Sequence, residues 1–200
     1  SDIVGGFCPY VHCYAHRLNL VLVDCCSNIP ELKDLFGLLQ AIYNFQCNSV
    51  LRSEYFEESQ KELQLEVLKM PQSCQTRWSS KKKGVFYFRN RIDAVIMALE
   101  EITEKGKPSE AAECKGYISQ LQSFNILLLL VLMDEVLGTT NTLSEYLQNP
   151  ELIYTRAISL CEATISTLKE MRSEVKFEEI WRSAAVLAEK IFVEVPNPDS

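Results

Sequence analysis

Glycine and proline are scarce in this sequence, which has seven of each among its 200 residues. Because these two residues mark most turns, their scarcity argues against a fold of many short strands and favours long helices. Hydrophobic residues make up 47% of the sequence, which is enough for a large buried core. We therefore predict a mainly α-helical chain that is one large domain or, as its abrupt ends suggest, a fragment of a longer protein.

The sequence also lacks any pair of cysteines separated by two residues, although it has eight cysteines. Such pairs are typical of zinc-binding and redox motifs. The cysteines are scattered, and no signal-peptide pattern opens the sequence. We therefore expect reduced thiols in a nuclear or cytoplasmic protein, where most of the cysteines act as small apolar residues.

Long apolar runs, glycine-rich phosphate loops and nucleophile elbows are missing as well. The most apolar run, 126–133, has eight residues, whereas a membrane-spanning helix needs about 20. We interpret this run as a core helix and expect neither a membrane nor a small-molecule substrate as partner. Beside the run, Asp134 and Glu135 are candidates for buried acids whose partners the sequence does not identify.

Apolar residues recur at spacings of three and four in several segments, as they do on the buried face of a helix. Before them, 10–13 is a strand candidate, and 18–23 is apolar on all sides and so predicted to be buried. Residues 106–109 read as a loop. The predicted helices run from about Asn28 to Asn48 and over 51–69, 85–104, 110–122, 126–147, 151–172 and 175–192.

Both histidines of the chain lie in one short cluster, His12-Cys13-x-x-His16. With Cys8 this cluster offers four candidate ligands of two types that zinc accepts, cysteine and histidine. If 10–13 is a strand, however, His12 and Cys13 point to opposite faces and cannot both reach one ion. A Cys-His nucleophile pair is a second interpretation, and it needs a third, orienting group. The last interpretation is purely structural: His16 is hydrogen-bonded at a helix start, and Cys13 is part of the core.

The second candidate site is basic. A net charge of −7 is not the balance of a nucleic-acid-binding protein, so such a role must depend on a local patch. No acidic residue lies between Glu66 and Asp93, a stretch that contains seven basic and several aromatic residues, Lys69 and Phe86 among them. The candidate contacts are Arg77, Trp78, Lys81, Lys82, Lys83, Arg89 and Arg91.

Basic side chains neutralise phosphates, and aromatic faces stack on unpaired bases. The most specific element is Arg77-Trp78, because a planar cation beside an indole suits a phosphate next to a displaced base. A solvated helix start with its aromatic residues in the core explains the same composition. The two interpretations remain open at this point.

Three ordered segments resemble the hAT superfamily of transposases, and most of all the vertebrate transposon-derived proteins of the zinc finger MYM type. The first is Cys13-x-x-His16 followed by LNLV, the second is LFGLLQAIYNF at 35–45, and the third is TRWSS at 76–80. The resemblance implies an RNase H-like core interrupted by a large helical insertion. Residues 1–13 would end the core with a strand, and 14–200 would be an incomplete insertion.

The same resemblance implies roles for particular residues. His16, supported by Cys13, would lie near the scissile phosphate, and Arg77-Trp78 would lie near the flanking DNA end and hold a flipped base. In that family three carboxylates hold two Mg²⁺ or Mn²⁺ ions, and by its layout they lie outside residues 1–200. Asp2, Asp134 and Glu135 are therefore not assigned to that role, and we expect no cofactor and no catalysis in this chain.

Our first hypothesis is thus a fragment of a transposase-derived protein that binds DNA or an assembly partner. The rival is a helical module for protein–protein interaction, or homo-oligomerisation, without DNA binding. A third hypothesis is a thiol or zinc enzyme built on Cys13 and His16.

Overall fold

The structure is a computed structural model that describes residues 13–72 and 78–197. These ranges form eight helices and no strand, which confirms the prediction of a mainly α-helical chain. The helices are α1 (Tyr14–Ser27), α2 (Pro30–Cys47), α3 (Val50–Glu62), α4 (Trp78–Lys105), α5 (Pro108–Leu121), α6 (Phe124–Leu147), α7 (Tyr154–Glu170) and α8 (Glu174–Lys190).

The expected attachment to an RNase H-like strand is not supported. Residues 10–12 lie outside the described residues, and Cys13 is extended, with φ −62° and ψ 148°. The Cys13 Sγ accepts a hydrogen bond from the backbone N–H of His16 at 3.3 Å. Cys13 therefore serves as the N-cap of α1, and residue 14 begins a helix.

α6 lies at the centre of the fold and packs against α1, α2, α4, α5, α7 and α8. Among the described residues it is the one helix that is long and apolar enough to cross a bilayer, judged by length and composition alone. In its most apolar window, 44% of the residues are buried, and helices surround it. We therefore interpret α6 as the core helix that the run 126–133 predicts.

Several helix boundaries agree with the sequence prediction. Asn48 ends α2, and Ser49 caps α3 by accepting a hydrogen bond from the Arg52 N–H at 3.4 Å. The bounds of α5 to α8 differ from the predicted ones by three residues or fewer. These helices have amphipathic spacing and local stop signals, so their limits could be read from the sequence.

The end of α3 was predicted wrongly. The helix ends at Glu62, whereas the sequence pattern extended it to residue 69. Gln64 then adopts φ 55°, and the Leu65 N–H donates to the Gln60 carbonyl at 2.8 Å, which closes the helix. Residues 65–72 follow without regular secondary structure, and we call them the wall segment.

The start of α4 was also predicted wrongly, at Val85 instead of Trp78. The Trp78 N–H donates to Asn19 Oδ1 of α1 at 2.8 Å, a tertiary contact that no local pattern reveals. Three lysines, Lys81 to Lys83, therefore lie on a helix. Further along, Arg91 has non-helical angles of φ −135° and ψ 17°, so that α4 consists of two helical halves joined at a bend.

The segment 18–23 is not buried on all sides, contrary to expectation. In α1 only Ala15 and Cys26 are buried, whereas Leu20 and Val21 are 48% and 58% exposed. The helices that contact α1 are α2, α4 and α6. The outer side of α1 consequently exposes apolar residues such as Leu20 and Val21 beside the charged Arg17 and Asp24.

Candidate nucleic-acid interface

A buried glutamine of α3 fixes the wall segment against α4. Gln60 is 1% exposed, and its side-chain amide pairs with both backbone polar groups of Leu68. The Gln60 Nε2 donates to the Leu68 carbonyl at 3.1 Å, and its Oε1 accepts from the Leu68 N–H at 3.0 Å. This paired contact gives an irregular stretch of chain a defined position.

The wall segment, the first turns of α4 and the second half of α6 enclose an open cleft of about 600 Å³. Lysines from two elements line it, namely Lys69 from the wall segment and Lys82 and Lys83 from α4. Within the described part of the chain, none of the three forms an ion pair. We call this feature the lysine cleft.

Of the described residues that line the lysine cleft, Glu145 alone is acidic. Its Oε1 accepts a hydrogen bond from the Asn141 Nδ2 at 2.7 Å. Three ammonium groups therefore face one carboxylate. The cleft carries an excess of positive charge in a chain whose net charge is −7, and this excess is what a phosphate-containing ligand requires.

The Trp78 indole is placed in the core. It is 3% exposed, and its Nε1 donates to the Thr140 Oγ1 of α6 at 3.0 Å. The Phe36 ring of α2 lies 6.4 Å away, centroid to centroid. In this conformation the indole has no open face for a base, so the structural interpretation of the aromatic residues fits Trp78 better than the stacking interpretation.

Lys81 lies on the other side of α4 from the lysine cleft. Its Nζ stands 4.2 Å from the centroid of Phe36 and 5.7 Å from that of Trp78. Burial lowers the pKa of the Lys81 ammonium, against a smaller opposing influence of the Cys26 thiol. The aromatic rings hold this cation next to the core, where it covers apolar surface with its stem.

Two of the three arginines among the candidates, Arg89 and Arg91, also have partners within the protein. The Arg89 Nη1 forms a partly buried ion pair with Asp134, which supplies the partner that the sequence did not identify. The Arg91 guanidinium donates to the Asn90 carbonyl at 2.9 Å and to the Glu66 carbonyl of the wall segment at 3.3 Å. Both side chains thus position α4, and Lys82 and Lys83 are the candidates that line the cleft.

The remaining candidates do not line this cleft or lie outside the described residues. Arg77 and His12 lie outside the described residues. Cys13 and His16 are exposed at the start of α1, and the Cys13 thiol interacts there with the helix backbone. Among the described residues, Cys13 and His16 do not line the lysine cleft.

Two residues of the lysine cleft, Lys69 and Phe86, were in the basic stretch but were not chosen as contacts. Phe86 follows Lys82 by four residues and Lys83 by three, so helical spacing alone would have placed it beside them. Lys69 has no such signal, because its position depends on the contact between Gln60 and Leu68.

In residues 13–72 and 78–197, no three His, Cys, Asp or Glu side chains come together as a group that could hold a metal ion. The six described cysteines are free thiols. Burial raises the pKa of the Cys26 and Cys114 thiols, the latter to about 11, which disfavours the reactive thiolate.

Comparison with models of protein families finds no family that matches the chain, and no solved structure matches it. The hAT resemblance therefore stays a prediction from the sequence motifs. The functional argument depends on the geometry of the chain itself.

Proposed function

We propose that the chain is a helical module of a hAT transposase-derived protein that binds DNA and contributes to assembly, without catalysis of its own. The single observation that supports it best is the lysine cleft, where Lys69, Lys82 and Lys83 face one opening. They come from a stretch with no acidic residue between Glu66 and Asp93. Unpaired ammonium groups that converge on one opening are suited to neutralising neighbouring phosphates.

The hAT resemblance adds the biological setting to this proposal. A transposase-derived protein acts on chromosomal DNA, so we propose a nuclear location. By the layout of that family, the carboxylates that would hold Mg²⁺ or Mn²⁺ lie outside residues 1–200. The module itself therefore contributes binding and not strand cleavage.

The proposal is tested by fluorescence anisotropy with labelled single-stranded and duplex DNA over a range of salt concentrations. In the double variant Lys82→Gln/Lys83→Gln we expect weaker binding. We also expect the slope of log K against log salt to shrink by about 1.4 to 1.8, since each phosphate contact contributes about 0.7 to 0.9.

The matched control is Lys115→Gln/Lys169→Gln, which changes the net charge equally at two exposed positions on α5 and α7. This control should keep the wild-type slope. If both double variants lose affinity to the same extent, the binding depends on net charge and the proposed interface is wrong.

A second candidate function is protein–protein interaction, and it is favoured by one observation. α7 exposes an apolar stripe in which Tyr154, Ile158 and Ile165 are 62%, 44% and 52% exposed. Cys161 completes the stripe at spacings of four, three and four, the pattern of a helix that packs against another helix. We call these four residues the α7 stripe.

A further inference from the structure

Phe86 is exposed in a helix that buries its neighbours. Val85, Tyr87 and Phe88 are 0%, 3% and 1% exposed, whereas Phe86 is 51% exposed. The helical turn explains this, because the Phe86 side chain points out of the core and lines the lysine cleft. An aromatic ring is thereby left open to solvent at the mouth of a positively charged cleft.

Phe86 and the lysines lie within one helical turn of one another. Lys82 and Lys83 precede Phe86 by four and three residues and therefore lie on the same side of α4. The lysine cleft, of about 600 Å³, has the volume of a site for one small ligand.

Whether a base can stack on the Phe86 ring depends on whether that base is paired. In a duplex both faces of a base are covered by its neighbours, so a base must be unpaired before it can lie on Phe86. An aromatic platform flanked by cations is the arrangement that binds single strands, because the ring takes a base and the cations take the adjacent phosphates. A carboxylate-rich peptide would use the lysines but not the ring.

The polar groups of the cleft indicate how selective such binding is. The Asn141 and Gln148 amides already donate within α6, to Glu145 at 2.7 Å and to the Ser144 carbonyl at 3.0 Å. Part of the capacity of these amides to read base edges is thus used within α6. Stacking then dominates recognition, and stacking is tolerant of sequence because every base has an aromatic face.

We propose that the lysine cleft binds an unpaired nucleic-acid strand, with one base stacked on Phe86 and the neighbouring phosphates held by Lys69, Lys82 and Lys83. This inference deepens the proposed function and rests on it. It specifies the strand, the stacking residue and a low sequence preference.

The test measures the anisotropy of labelled strands of about 12 nucleotides and of the matching duplex. We expect the single strand to bind more tightly than the duplex. Phe86→Ala should weaken single-strand binding about 5- to 150-fold, the range for loss of one stacked base. Phe86→Trp should restore it. Phe177→Ala, at a position on α8 that is 45% exposed, is the control and should bind as the wild type does.

Thermal melting checks that every variant is folded, and Phe86→Ala should melt normally because an exposed helical position accepts alanine well. Equal binding of duplex and single strand, with no loss in Phe86→Ala but a loss in Lys82→Gln/Lys83→Gln, overturns this inference and leaves the proposed function standing. No binding of either strand overturns both. Equally strong competition by polyglutamate identifies an acidic peptide as the ligand and also overturns both.

Discussion

Replacing Trp78 with alanine removes an indole that is 3% exposed and hydrogen-bonded to Thr140. We expect the free energy of unfolding to fall by about 3–5 kcal/mol, the usual cost of truncating a buried aromatic residue. Urea denaturation followed by circular dichroism measures it. Thr140→Val should cost about 1–3 kcal/mol, because the buried indole N–H loses its acceptor.

The role of Trp78 in the core affects the interpretation of any DNA-binding measurement on Trp78 variants. A loss of DNA binding in Trp78→Ala would reflect damage to the start of α4, which carries Lys82 and Lys83. If Trp78→Ala unfolds with nearly wild-type stability, the core role is wrong and base stacking by the indole regains support.

Tyr87 makes the free energy of unfolding decrease as the pH rises in the alkaline range. Burial, with a smaller opposing influence of Arg91, raises the pKa of the Tyr87 phenol to about 12 from an ordinary value of 10.0. The unfolded chain therefore loses this proton before the folded chain does. The stabilisation is complete below pH 10 and is lost as the pH rises through about 12.

We expect Tyr87 to account for about 2–3 kcal/mol of the stability lost in that interval, since each pKa unit corresponds to about 1.4 kcal/mol. In Tyr87→Phe the decline between pH 9 and 12 should be correspondingly shallower, measured by urea denaturation at each pH. Tyr14→Phe, at a position that is 55% exposed, serves as the control and should follow the wild-type curve. Identical curves for all three proteins would contradict the assignment to Tyr87.

At the scale of elements, the wall segment depends on one side chain. Gln60→Ala leaves the Leu68 N–H and carbonyl without their partners, so we expect a loss of about 2–3 kcal/mol in unfolding free energy. Hydrogen exchange of the Leu68 amide should also become much faster. Lys69 would then lose its fixed position, and DNA affinity should fall together with the exchange protection.

The control is Gln120→Ala, in which the lost Nε2 hydrogen bond joins an exposed side chain to the Gly116 carbonyl of its own helix at 3.2 Å. It should change stability by less than about 0.5 kcal/mol. Unchanged Leu68 exchange in Gln60→Ala would show that something else holds the wall segment.

The helix boundaries show which features of the fold can be predicted from the sequence and which cannot. α2 and α5 to α8 were predicted nearly to their ends, because their apolar spacing is helical and Asn, Ser, Pro or Lys residues mark their limits. The end of α3 was missed because Gln64 adopts a left-handed conformation that glutamine seldom does. The start of α4 was missed because it depends on Asn19, far away in the sequence.

The candidate site shows the same limit. A helical wheel suffices to group Lys82, Lys83 and Phe86, but not to exclude Trp78, Arg89 or Arg91. Trp78 is hydrogen-bonded to Thr140, Arg89 forms an ion pair with Asp134, and Arg91 donates to backbone carbonyls. Such partners are set by tertiary packing, which a local pattern does not contain.

At the scale of the whole molecule, the α7 stripe is the surface that would allow the chain to associate with itself. If the α7 stripe packs against a second copy, sedimentation equilibrium should show a dimer, and Ile158→Glu/Ile165→Glu should be a monomer, because the charges cannot be buried. The control is Val50→Glu/Val175→Glu, which changes two valines on α3 and α8 that are 78% and 69% exposed and lie outside the α7 stripe. This variant should sediment as the wild type does. A wild-type monomer at all concentrations would exclude the dimer.

The first half of α4 is held at both of its ends. At the start of α4, Trp78 forms hydrogen bonds to α1 and α6. At the bend, Arg91 donates a hydrogen bond to the Glu66 carbonyl. The helical stretch between them is about 20 Å long, and we expect these two anchors to keep its length and direction unchanged if a ligand binds. Because the helix backbone is already ordered, binding should cost mainly the conformational entropy of the lysine side chains, of Phe86 and of the ligand, and we expect differences in affinity among variants to appear mainly in the dissociation rate.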